Sequence, residues 1–259
     1  MIDEPYRWVE AIANRREYID HELAGGSPTL AFSCVEGVLL FTFGKDRKKI
    51  FEVYDRIAMG GIGHPGDIER LRMLAIELAS TEGFTRSAAD VSLRRMATYS
   101  FSPALKQAFE QIYGAPYLAR LLFAELGDDP DRDLFVRLDY DGAMHASAMG
   151  AGKLRDNFGV ISGTRRSTGA IEAYLRGTKV GGLEETIGRA IHAWGIGLFM
   201  ADEDHREVPE EAALRDFLRQ QLQEYTVEAA LLERRSRMRI AFVELEEKTL
   251  AKSLDPFRN

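Results

Sequence analysis

The chain has one cysteine, Cys34, in 259 residues. A single thiol excludes an intramolecular disulfide and any multi-cysteine metal site, which suits a reducing compartment. Cys34 lies in the alternating stretch 29–35, where a buried structural thiol is expected in place of a nucleophile. Positive charge is also in deficit: 34 lysines and arginines stand against 41 aspartates and glutamates, a formal charge of −7. That balance argues against a nucleic-acid partner. No apolar run approaches the ~20 residues that span a bilayer. The opening residues 1–8 lack the basic-then-apolar order of a secretory leader. A cytoplasmic chain without membrane contact is the expectation. His21, His145, His192 and His205 show no metal-ligand spacing, so neither a metal nor a cofactor is expected. Repeats and low-complexity tracts are absent as well.

What is present is an ordinary apolar content of 45%, enough for a sizeable core. Residues Pro5 to Leu23 read as a helix, with Trp8, Ile12, Ile19 and Leu23 on one face, stopped by Gly25-Gly26. Four short strand patterns follow at 29–34, 38–43, 49–53 and 57–62. A helix starting near Pro65 carries Ile68, Leu71, Leu74, Ala75 and Leu78 at helical spacing. A second helix is expected over 87–111, kinked or reset by Pro103. Strands are expected again at 118–126, 133–139, 143–148 and 158–162, then helices at 166–175 and 183–199. The charged stretch 201–221 reads as a loop with one short amphipathic helix. Strands at 226–233 and 239–244 and a helix at 246–254 complete the pattern.

Blocks of strands alternate with blocks of helices. Single strands alternating with single helices would predict a parallel doubly wound sheet. The blocks predict α+β: two antiparallel sheets face to face with helix layers outside, an αββα sandwich. The expected organisation is an N-terminal segment and helix over 1–26 and one sandwich domain over 27–259. At the start of the helix near 183, Glu184-Glu185 is explained by the helix dipole alone. His192, in an apolar-rich helix, reads as a structural histidine.

The element order matches the fold of the N-terminal-nucleophile hydrolases. The segment from Lys48-Lys49-Ile50 through Tyr54-Asp55-Arg56 to Gly60-Gly61-Ile62-Gly63 resembles the core stretch of bacterial-type proteasome α subunits. Further resemblance lies in 67–72, Asp90-Val91, Tyr140-Asp141-Gly142, Ile171–Leu175 and Val227–Glu233. The stretch 201–221 and the tail 256–259 have no counterpart in that pattern.

The resemblance implies a non-catalytic α-type subunit of a proteasome core particle. Implied partners are like copies in a homo-heptameric ring, catalytic β subunits, and a ring ATPase or other activator. A catalytic β subunit needs an N-terminal threonine whose free amine acts as base. Alignment puts Ser27, between Gly26 and Pro28, at that place. Thr29 comes two residues too late, and the position after the second strand that should hold an aspartate holds Phe43 and Gly44. No catalytic residue is therefore assigned. One alternative stays open, a self-processed hydrolase or divergent self-compartmentalised protease exposing Ser27. A scaffold ring without a degradative partner is another.

By the same resemblance Lys49, Gly63 and His64 belong to the pocket that receives an activator's terminal carboxylate. Lys49 also reads as a solvated lysine of the basic run 45–49, and His64 as a turn residue without a role. Met1, Ile2, Asp3, Glu4, Pro5 and Tyr6 correspond to the gate over the axial pore. Trp8, Ile12, Ile19 and Leu23 correspond to the ring interface, with packing on the chain's own sheet as the other reading.

Overall fold

A computed structural model of the chain describes residues 5–45, 47–111, 113–147, 156–236 and 238–258. The first helix, α1 (Pro5–Leu23), leads into β1 (Thr29–Ser33), β2 (Gly37–Gly44), β3 (Ile50–Tyr54) and β4 (Ile57–Gly63). Then come α2 (Pro65–Thr85), α3 (Leu93–Met96) and α4 (Ser102–Glu110). The second strand block is β5 (Ala119–Glu125), β6 (Leu134–Leu138), β7 (Met144–Ala146) and β8 (Phe158–Ile161). It is followed by α5 (Arg165–Leu175), α6 (Leu183–Phe199) and α7 (Glu211–Gln221). Last are β9 (Thr226–Glu233), β10 (Phe242–Glu244) and α8 (Glu247–Arg258).

The strands form two five-stranded antiparallel sheets, ordered β10-β9-β2-β1-β8 and β3-β4-β5-β6-β7. The α+β sandwich expected from the element order is therefore present, with three apolar layers between its four structural ones. Leu39, Phe41 and Phe43 of β2 face α5, α6, α7 and α8, whereas Val38 and Leu40 of the same strand face the second sheet. That double burial explains why 37–44 is apolar almost throughout and lacks polar alternation. Each fully buried leucine here contributes roughly 1.5–3 kcal/mol. The outer side of the second sheet packs on α2, α3 and α4 through Met59, Leu71, Phe101 and Phe123. Alpha-1 sits at one end, where Ile19 and Leu23 meet Phe109 and Tyr140.

Three expectations need correction. The helix over 87–111 is divided: residues 88–90 form a 3-10 turn, α3 follows, and Ala97–Phe101 make a π turn before α4. Pro103 lies in the first turn of α4, where its missing N–H costs least, and the π turn absorbs the mismatch upstream. The strand expected at 239–244 is shortened to Phe242–Glu244. Its first residues are drawn toward the β3–β4 turn, where Arg239 pairs with Asp55 and Ala241 N–H bonds Asp55 C=O. The last helix runs past Leu254 to Arg258, because Phe257 is buried against the α6 layer.

Candidate functional site

The candidate site lies where β1 begins, at the end of the layer between the sheets. Ser27 is 8% exposed, and its hydroxyl donates to Phe43 C=O (2.8 Å). The Lys49 ammonium is turned onto the same place. It donates to Ser27 C=O (2.7 Å), Ser27 Oγ (2.8 Å) and Thr42 Oγ1 (3.2 Å). Thr42 in turn donates to Pro28 C=O (2.7 Å). Lys49 follows the β2–β3 loop, and the carboxylate of Glu228 on β9 fixes its backbone. That carboxylate accepts Lys49 N–H (2.9 Å) and Ile50 N–H (2.8 Å). Glu228 thus substitutes for a neighbouring strand at the free edge of β3.

Burial pushes the Lys49 pKa down to about 7, with the Glu228 carboxylate acting in the opposite direction. Burial likewise raises Glu228, opposed by the two N–H groups and by Lys49. For Lys49 the native state gives up its proton near pH 7, while the unfolded chain keeps it to about 10.5. Between those values the unfolded state binds more protons, so stability rises with pH across the window. Urea titrations between pH 7 and 10 are expected to show this gain in the native sequence and to lose it in Lys49→Met.

A neutral Lys49 has the reach to take a proton from Ser27. Yet the Ser27 proton points at Phe43 C=O, and the Ser27 nitrogen is an amide joined to Gly26. The free amine that an N-terminal nucleophile uses as its base is missing in the intact chain.

Gly63 and His64 lie at the adjoining end of β4, whose Gly61 N–H donates to Lys49 C=O (3.0 Å). Together with Gly26, Ile62 and Leu118 they line a hollow of about 360 Å3 between the end of α1 and the start of α2. Gly63 holds φ at +131° and pairs closely with β5, a conformation that only glycine adopts without strain. His64 caps α2: its Nδ1 accepts Gly66 N–H (3.2 Å), and its own N–H donates to Leu118 C=O (2.7 Å). Lys49 is not among the residues that line this hollow; its ammonium sits at Ser27, the residue after Gly26 of the lining.

Met1, Ile2, Asp3 and Glu4 lie outside the described residues, and Pro5 and Tyr6 form the first turn of α1. Of the four residues on the face of α1, Ile19 and Leu23 are 0% and 2% exposed within the chain itself. Trp8 is 43% exposed and Ile12 half-buried, so only these two present apolar surface outward. Cys34 is buried, donates to Gly37 C=O, and has its pKa pushed up to about 11 by burial. His192 lies against Gly188 C=O (2.9 Å) and edge-on to Phe257. Among the described residues no group of three or more His, Cys, Asp or Glu side chains is placed to hold a metal ion, and no helix is long and apolar enough to cross a membrane.

Sequence reasoning gave no role to Glu228, Thr42 or Arg120. Glu228 carried a signal: it shares the inter-sheet face of β9 with Ala230 and Leu232, where a carboxylate needs partners. Arg120 stood out similarly in the apolar run 118–126. It is 6% exposed and donates to Asp139, Asp20, Ser162 C=O and Gly163 C=O. Tyr140 adds a bond to Asp20 (3.0 Å), so α1 is tied to both sheets next to Ser27.

No family model matches the chain. Among curated proteins it is 32% identical over 137 residues to "Proteasome subunit alpha" of Acidothermus cellulolyticus, covering 52% of this chain and 58% of that protein. The same name belongs to relatives in Jonesia denitrificans (31%, 52% of this chain and 57% of the relative) and Streptomyces coelicolor (30%, 52% and 54%). Over these 137 residues the chain is similar to proteins named as proteasome α subunits in three organisms. It spans a little over half the length of the curated α subunits it matches. The sandwich of two five-stranded sheets is consistent with the α-type fold of the N-terminal-nucleophile hydrolases.

Proposed function

We propose that the chain is a non-catalytic α-type subunit of a proteasome core particle, forming an outer ring of like copies that docks on catalytic β subunits. The observation that carries this reading is the continuity of α1 into β1. Arg120, Asp20 and Tyr140 lock the helix to the sandwich, so the segment before Ser27 is built into the fold. The relatives' name agrees with it. In this reading Trp8 and Ile12 face a neighbouring copy, and residues 1–6 supply the gate. Lys49, Gly63 and His64 serve activator docking, with the hollow at Gly63 completed by the adjacent copy and Lys49 drawn off Ser27 when a carboxylate arrives. A cytoplasmic location accompanies this role.

Mixing the protein with a threonine-led proteasome β subunit tests the proposal. The expected product is one co-migrating complex whose peptidase activity survives Ser27→Ala and vanishes when the β threonine is replaced. Activity of this chain alone, lost in Ser27→Ala, contradicts it.

One second reading has a specific observation in its favour. The Gly26 carbonyl receives Gly163 N–H (3.0 Å), and Lys49 Nζ is 2.8 Å from Ser27 Oγ. Attack of Ser27 Oγ on that carbonyl, with Lys49 taking the hydroxyl proton and returning it to the Ser27 nitrogen as the Gly26–Ser27 amide bond breaks, gives an ester that water cleaves to release residues 1–26. The bond from Arg120 to Asp20 weighs against it, since it holds the segment that would depart.

A further inference from the structure

The usual residue at a helix N-cap is Ser, Thr, Asp or Asn, whose side-chain oxygen accepts a first-turn N–H. At α2 that place is taken by His64, on extended backbone (φ −71°, ψ 126°). Its Nδ1 accepts Gly66 N–H (3.2 Å). A backbone N–H can only donate, so Nδ1 carries the lone pair and the ring proton sits on Nε2. Pro65, which opens the helix, has no N–H. Gly66 N–H is therefore the first donor of α2, and a neutral imidazole is its acceptor.

A second proton on the ring destroys that acceptor and sets a cation against the positive end of the helix dipole. Histidine is the side chain that ordinarily changes charge between pH 5 and 8. The backbone around it is held independently of the ring. His64 N–H donates to Leu118 C=O (2.7 Å), the Asp67 carboxylate accepts Leu118 N–H (2.9 Å), and Gly63 pairs with Ala119 of β5. Only the exposed ring is left to turn.

Charge sets the direction of that turn. Of the side chains lining the hollow between α1 and α2, His64 and Glu22 alone ionise. Glu22 stands on the last turn of α1 and is exposed. The neighbouring groups are engaged elsewhere: Asp67 with Leu118 N–H, Arg70 over the Tyr117 ring, and the Lys49 ammonium with Ser27 and Thr42. An imidazolium repelled by α2 therefore meets one carboxylate in the hollow.

We propose that His64 is a proton-operated latch on this hollow. Neutral, it caps α2 and leaves the hollow open. Protonated, it lets go of Gly66 N–H and turns toward the Glu22 carboxylate, closing the hollow. The latch belongs to the chain itself and does not depend on the ring assignment.

Proton NMR of the full chain between about pH 8 and 5 tests it. As the His64 ring titrates, the Gly66 amide signal should move upfield, and a nuclear Overhauser contact should appear between the ring and the Glu22 methylenes. His64→Asn supplies a cap that does not titrate, so its Gly66 amide signal should stay in place. At equal acid pH that amide should exchange about fivefold more slowly than in the native chain, the effect of one cap. Glu22→Gln should keep the Gly66 shift and lose the ring contact. A Gly66 amide that ignores the His64 titration, or that moves equally in His64→Asn, would overturn the proposal. So would a ring contact that persists in Glu22→Gln.

Discussion

Arg120→Met is expected to release α1 from the sandwich while the two sheets stay folded. The guanidinium is nearly buried and bridges Asp20 on α1, Asp139 after β6, and the carbonyls of Ser162 and Gly163 before α5. Methionine keeps most of the volume and removes every one of those bonds, which leaves Asp20 and Asp139 without their cation. Breaking a fully buried pair from one side costs about 3–5 kcal/mol, and the cost here is smaller because the carboxylates left behind, Asp20 and Asp139, are 39% and 31% exposed. Here the loss falls on α1, whose own apolar anchors in the chain are few: Ile19, Leu23 and part of Ile12. Limited proteolysis should cut the variant within residues 5–26, and amide exchange in α1 should accelerate by orders of magnitude. Asp20→Asn keeps the Tyr140 contact and should show a milder form of the same change. If α1 stays protected in Arg120→Met, the helix is held by other contacts and its status as a built-in element needs another basis.

Asp133→Ala should produce the largest loss of global stability. Asp133 is fully buried at its side chain, and it accepts Arg234 Nη1 (2.9 Å), Arg234 Nη2 (2.8 Å) and Gly127 N–H (2.8 Å). Arg234 reaches further, to the carbonyls of Gly127, Cys34 and Gly37. One ion pair therefore joins the β5–β6 turn of one sheet to the β1–β2 turn and the end of β9 in the other. Removing the carboxylate strands a nearly buried guanidinium, at a cost of about 3–5 kcal/mol. Urea denaturation should show a lower midpoint with an unchanged slope. The paired replacement Asp133→Leu with Arg234→Met should recover part of the loss, because no charge is left without a partner. An unfolding free energy within about 1 kcal/mol of the native chain's in Asp133→Ala would contradict this expectation.

These two hubs mark the limit of what the sequence discloses. The sandwich was legible because its strands are short, its helices long, and the two kinds come in blocks. Even the nearly all-apolar run of β2 is readable once both faces are known to be covered. Long-range polar partners are different. Arg120 and Asp20 lie 100 residues apart, and Arg234 and Asp133 lie 101 apart. No periodicity connects them, and only the presence of arginine within or beside an apolar strand hints that a carboxylate waits elsewhere. The candidate site was legible in part for the same reason. Ser27 and Lys49 were singled out by alignment with a known pattern, but the direction of the ammonium is set by Thr42, Phe43 and Glu228 acting together. Its position at Ser27, outside the lining of the hollow at Gly63 and His64, follows from that direction. The π turn before Pro103 and the extension of α8 to bury Phe257 were likewise decided by packing, which overrode local signals.

The most direct measurement is the intact mass of the purified protein, first denatured and then under native conditions. The account predicts an unprocessed chain of 29.1 kDa that assembles, when native, into a single species of several identical copies. A chain beginning at Ser27, at any fraction that grows with incubation and disappears in Lys49→Met, would contradict it.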